Sequence, residues 1–123
     1  MEATKMRNVV IVDGVRTGFG KLGGSLRQFG MSDLAAKAID GLLEKTQLLE
    51  RGGKVEGVYM GSALHDHATH APARMSVLKS RLGYDVWTSF VERQCAIATR
   101  VLRVCSHNVC VQGRPILLLK SLW

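Results

Sequence analysis

The sequence predicts an α/β protein with helices layered on a sheet. Two observations carry this. Apolar, strand-like runs occupy residues 8–13, about 55–60 and about 86–91, and segments of helical character fill the two gaps between them. Strands that alternate with helices are the pattern of layered α/β architectures.

The first run, NVVIVD at residues 8–13, is β-branched and ends at Gly14, which predicts a buried strand. A glycine-rich loop, GFGKLGGS, follows at 18–25. From about Ser32 to Leu49 the apolar residues Leu34, Ala35, Ala38, Ile39, Leu42 and Leu43 recur at helical spacing, with Lys37, Asp40, Glu44 and Lys45 opposite. Ser32 is the expected N-cap and Gly52-Gly53 the expected stop. The second strand, about Val55–Met60, opens into the loop GSALHDHATH. A short helix is expected to begin near Pro72, because proline suits a first helical turn, and to end at Gly83. The third strand, about Val86–Val91, leads into Cys95. Beyond it, AIATRVLRVC fits a helix, while SHNVCVQGRPILLLKSLW has no clear period and ends in a greasy LLLKSLW.

At 123 residues, 46% of them hydrophobic, the chain is one domain's worth of sequence with enough apolar material for a core. No stretch approaches the roughly 20 apolar residues of a membrane-spanning helix. The start, MEATKMRNVV, lacks the apolar core of a secretory signal, and three cysteines make no paired framework; both favour a cytoplasmic location. The net charge of +7 is uneven: residues 1–95 carry +3, whereas 96–123 carry +4 from Arg100, Arg103, Arg114 and Lys120 with no acid. Without interleaved aromatics or a recognisable motif, this basic tail does not argue for nucleic acid.

Four features invite a chemical reading. Gly18, Gly20 and Gly23 have the spacing of a dinucleotide-binding turn, but that turn needs a helix starting within it, and the expected helix starts only near Ser32. A phosphate loop fails as well, because five residues separate Gly14 from Gly20-Lys21 and Leu22 replaces the needed hydroxyl. A loop that uses glycine's backbone freedom is the favoured reading. His65, His67 and His70, with Asp66 among them, match no trusted zinc spacing, and Cys105, His107 and Cys110 lack a fourth ligand, so no metal is expected. Cys95 is different. A cysteine between a strand end and a helix start gains from the helix dipole, which favours thiolate, and Arg93 adds positive charge. Placement alone leaves a buried structural cysteine equally open.

Three segments together resemble the thiolase family. Residues 9–26, VVIVDGVRTGFGKLGGSL, resemble its first strand and the loop usually written R-T-P-F-G-K-x-G-G-S-L. Residues 58–79 resemble its second strand and the loop ending in P-A-R, here Pro72-Ala73-Arg74. Residues 90–95, FVERQC, resemble the approach to the nucleophilic cysteine, usually V-N-R-x-C. The resemblance implies an N-terminal portion of a thiolase-like fold, helices packed on a mixed sheet, and acyl-CoA C-acyltransferase chemistry of fatty acid metabolism. Cys95 would accept the acyl group, its own N–H forming part of an oxyanion hole, while Arg16 and Arg74 would pin loops. Coenzyme A thioesters would be substrates, with no permanently bound cofactor and no metal. A homo-oligomer is implied, with neither nucleic acid nor membrane as partner. A non-catalytic module of the same fold, binding acyl-CoA or a partner subunit, is the alternative.

The sequence also departs from the pattern. Gly18 replaces a proline and Glu92 an asparagine. After Cys95 the family reads C-x-S-G-L-Q-A, whereas this chain reads Cys95-Ala96-Ile97-Ala98-Thr99-Arg100. The family's asparagine loop, activating histidine and second cysteine are not among these residues, which leaves catalysis by this chain uncertain. The expected organisation is therefore a thiolase-like segment over 1–95 and a divergent basic tail over 96–123. An abrupt loss of acids and of family pattern at one residue is what a shifted reading frame produces. Sequencing the coding DNA across the Cys95 codon checks this: a Ser-Gly-Leu-Gln-like continuation is expected in another frame, and an uninterrupted frame to Trp123 contradicts it.

Overall fold

The computed structural model describes residues 7–63 and 69–120, the last three by backbone alone. In chain order the elements are α1 (Met31–Thr46), β1 (Gly57–Ser62), α2 (Pro72–Leu78), β2 (Trp87–Glu92), a 3-10 turn (Gln94–Ala96), α3 (Ile97–Gln112) and β3 (Ile116–Lys120). The strands form a sheet ordered β2-β1-β3, and β1 is parallel to both neighbours. The α/β class is as expected. The sheet is parallel in its described strands rather than mixed, because each successive strand is reached by a helical crossover.

All six residues of β1 are buried, as a central strand covered on both faces requires. Val58 and Met60 face one core, shared with Ile39 and Leu43 of α1, Ala73 and Val77 of α2, and Leu117 of β3. Tyr59, between them, points the other way and packs with Ile97, Val101 and Cys105 of α3. Two helices therefore cover one face and α3 covers the other. Gly61 sets how closely α3 lies: a Cβ there would come within 2.5 Å of Val101 Cγ2 and 2.6 Å of Ile97 Cγ1. Asn108 Nδ2 of α3 donates to the Tyr59 hydroxyl, and Tyr59 meets Trp87 edge to face at 5.1 Å.

Three expectations are corrected. Residues 8–13 form no strand, and Val10, Ile11 and Val12 are 74%, 82% and 83% exposed. Both lateral edges of β1 are taken, one by β2 and one by β3, so the run has no place beside it. It is tied down at its ends, where the Arg7 N–H donates to Cys110 O at 3.2 Å and Lys45 Nζ pairs with Asp13 at 2.7 Å. Secondly, α1 is capped by Gly30, whose N–H donates to the Asp33 carboxylate at 3.0 Å; Ser32 is buried and accepts from Lys79 Nζ at 3.2 Å. The helix stops at Gln47, which takes the left-handed conformation, ahead of Gly52-Gly53. Thirdly, α2 ends at Leu78, short of Gly83. The shapeless tail folds into α3, ended by Gly113 at φ +66°, and β3.

Two predictions follow from these contacts. Gly61→Val pushes α3 off the sheet, and overpacking of this kind costs about 1–3 kcal/mol, read as a lowered urea midpoint. The Asp33 carboxyl is held below its usual 3.8, first by the hydrogen bond from Lys79 and then by the Gly30 N–H. A depressed folded value means that its stabilisation is present above the unfolded value and is lost as pH falls through the folded one. Asp33→Asn is therefore expected to flatten stability against pH below about 4, measured by urea titration across that range.

Candidate active site

Cys95 lies in the turn that joins the end of β2 to the start of α3, and its side chain is exposed. The strand-end, helix-start placement expected from the sequence is thus observed, and the buried structural reading fails. The turn is tight: Ala96 N donates to Arg93 O at 3.1 Å, and Ile97 N donates to Gln94 O. The Cys95 N–H has no hydrogen-bond partner among the described residues. Gln94 takes φ +40°, a conformation that costs a non-glycine residue on the order of 1–2 kcal/mol. The packing of Ile97 and Val101 on the sheet holds this turn in place.

The other cysteines are set apart by burial. Cys105, 9% exposed, faces the sheet, and burial pushes its thiol above the usual 9.0. Cys110 is half-buried near the end of α3.

Arg74 is the loop pin that the resemblance implies, donating to Val86 O at 2.8 Å and Tyr84 O at 3.0 Å and so fixing α2 to the approach of β2. Arg16 stacks its guanidinium over Phe19 at 5.0 Å, in an exposed loop. The Gly18, Gly20 and Gly23 segment forms turns with no helix beginning inside it, so it lacks the geometry that presents a helix N-terminus to a pyrophosphate. His65, Asp66 and His67 lie outside the described residues, and His70 is exposed. Among the described residues no three His, Cys, Asp or Glu side chains gather as metal ligands, and no helix is long and apolar enough to cross a membrane.

One feature near Cys95 was missed from the sequence. Arg93, Ala96, Thr99, Arg100 and Arg103 line a shallow depression of ≈ 220 Å³. The 93, 96, 100, 103 spacing of one helical face was the available signal.

The thiolase N-terminal domain matches residues 9–119, which runs from the exposed apolar segment through α3 into β3. This chain belongs to the thiolase family. A probable acetyl-CoA acetyltransferase of Mycobacterium tuberculosis is 37% identical over 115 residues, covering 88% of this chain and 29% of the relative. The acetyl-CoA acetyltransferase of Escherichia coli K12 is 36% identical over 104 residues, 85% of this chain and 26% of the relative. The mitochondrial acetyl-CoA acetyltransferase of Bos taurus is 30% identical over 104 residues, 85% of this chain and 24% of the relative. The chain thus spans between 24% and 29% of the length of these three relatives.

Since the thiolate is the reacting species, and burial both hides the Cys105 sulfur and raises its thiol while Cys95 is exposed, alkylation is expected to order the cysteines. Limited treatment with iodoacetamide, read by peptide mass mapping, should label Cys95 first and Cys105 last. Equal labelling of Cys105 in the folded chain would contradict this.

Proposed function

We propose that this chain carries the acyl-accepting cysteine of an acyl-CoA C-acyltransferase of the thiolase type. The observation that carries the reading is the exposed Cys95 at the β2–α3 turn of a thiolase N-terminal domain, its own N–H without a partner among the described residues. The Cys95 sulfur attacks the thioester carbonyl of an acyl-CoA, the carbonyl oxygen takes negative charge, and collapse expels coenzyme A as its thiol. The products are an acylated Cys95 and free coenzyme A, with the cysteine proton passing to the leaving sulfur. A free backbone N–H beside the nucleophile suits stabilisation of that oxyanion. The acyl group then passes to the enolate of a second acyl-CoA, or back to coenzyme A. In the family a histidine activates the cysteine and a second cysteine takes the α-proton of the second acyl-CoA to form its enolate; neither family segment is among these 123 residues. Acyl-CoA is the substrate, with no permanently bound cofactor and no metal, and the setting is a cytoplasmic homo-oligomer of fatty acid metabolism.

One observation favours a second reading, a non-catalytic thiolase-fold module that binds acyl-CoA or a partner subunit. Val10, Ile11 and Val12 form an exposed apolar strip of the kind a partner covers.

Incubation with acetyl-CoA, followed by intact-mass and peptide analysis, separates the two. The catalytic reading expects a gain of one acetyl group on Cys95, abolished by Cys95→Ser, with release of free coenzyme A. Binding of acetyl-CoA with no acetyl transfer to Cys95 sinks that reading and leaves the module.

A further inference from the structure

One edge of β1 has two claimants within this chain. Parallel strand–helix–strand connections are right-handed, so strands joined by helices on the same face advance across a sheet in the same direction. α1 and α2 share a face, both packing on the core of Val58 and Met60. From β1 the chain passes through α2 to β2 on one side. A strand that leads through α1 into β1 therefore belongs on the opposite side, in the position that β3 holds. The strand-forming stretch ahead of α1 is Asn8–Asp13. α3 lies on the other face, so the same rule carries the chain from β2 back across β1 and makes β3 an equally regular occupant.

Both segments match that position in length and pattern. β3 pairs residue for residue with Gly57–Gly61, and the stretch Asn8–Asp13 is long enough for the same span. The position is covered on both faces: Leu117 is buried beneath α1 and α2, and Ile116 packs against the core under α3. A strand there needs apolar side chains at successive positions, not at alternate ones. Val9, Val10, Ile11 and Val12 supply them for both faces, yet they lie 40–83% exposed. What holds the run outside the sheet is polar and exposed. Arg7 donates from its N–H to Cys110 O and from Nη1 to Gly113 O, and Lys45 Nζ reaches the Asp13 carboxylate and Gly14 O. Exposed contacts of this kind contribute little to stability.

We propose that residues 8–13 and 116–120 are alternative occupants of one edge of β1, so that loosening β3 hands the edge to the N-terminal run. The exchange breaks the Arg7–Cys110 and Lys45–Asp13 contacts and the Arg114–Glu56 pair at the entry to β3. It leaves in place the seating of Ile97 and Val101 over Gly61, and with it the Cys95 turn. In either state one apolar run is buried and the other faces solvent, which makes the edge a switch between two exposed surfaces. The exchange is independent of the acyl-transfer reading.

Amide hydrogen exchange of the full chain tests this. Leu117→Asp puts a charge into the core and so releases β3. The amides of residues 9–12 are then expected to exchange at least tenfold more slowly than in the unsubstituted chain. Those of 116–120 should lose protection, and those of Gly57–Gly61 should keep theirs. Adding Ile11→Pro, which removes a ladder N–H and fits no central strand, should abolish the new protection and open 57–61 as well. Ile11→Pro alone, at an exposed position, should leave the urea midpoint unchanged. Should Leu117→Asp unfold the chain, the milder Leu117→Ala takes its place with urea titration as the readout. Costs at independent sites add, whereas exchange makes Leu117→Ala more costly in the Ile11→Pro background than in the unsubstituted one. Additive costs overturn the exchange. So do amides at 9–12 that stay fast in Leu117→Asp while those of 57–61 open.

Discussion

The missing side chain at Gly61 is the constraint on which the arrangement around Cys95 depends. With any Cβ at that position, Ile97 and Val101 would have to move outward, since the nearest contacts would fall to 2.5–2.6 Å. Because they need not move, the first two turns of α3 lie directly on the central strand. That seating fixes where α3 begins, and the 3-10 turn holding Cys95 must close the gap from the end of β2. Tyr59, two residues earlier on the same face, hydrogen-bonds Asn108 and so sets the far end of α3 as well. The position of Cys95 is therefore a consequence of strand-to-helix packing, with Gln94 taking up the local strain at φ +40°.

A second constraint is the number of edges a central strand has. β1 offers two, and the parallel pairings of Gly57–Ser62 with β2 and of Gly57–Gly61 with β3 use both. Beyond β1 and β2 the chain holds two further apolar runs: residues 8–13, expected as a strand, and ILLLK at 116–120, which shows no clear period in the sequence. Only the second is paired. The exposure of Val10, Ile11 and Val12 forgoes about 1.5–3 kcal/mol for each side chain that full burial would contribute. β3 recovers part of this through Leu117, which joins the core beneath α1 and α2. The residual apolar strip is a surface that self-association or a partner would cover.

How far the sequence reveals all this depends on the range of the physics involved. The helical periodicity of Leu34 to Leu43 and the proline at Pro72 are local signals, and both helices stand where those signals place them, to within their ends. The ends moved because caps answer to neighbours: Ser32 is drawn toward Lys79 on another helix, leaving Gly30 and Asp33 to cap α1. The 8–13 run misled because β-branched apolar residues report a preference for burial in a sheet without saying which edge is vacant. The placement of Cys95 between a strand and a helix was legible from the apolar run before it and the helical pattern after it. Its exposure was not, because only the seating of α3 decides it.

α3 shows how one segment can satisfy packing and chemistry together. Its buried stripe of Ile97, Val101 and Cys105 is apolar enough to cover the sheet, and burial raises the thiol at Cys105, which keeps that sulfur out of reach and out of its reactive form. Its outer stripe carries arginines with no carboxylate partner among the described residues. The folding of α3 needs only the inner stripe; exposed polar residues of any charge would complete the helix equally well. An outer stripe of one sign therefore acts mainly on what approaches from solvent, raising the local concentration of anions next to Cys95.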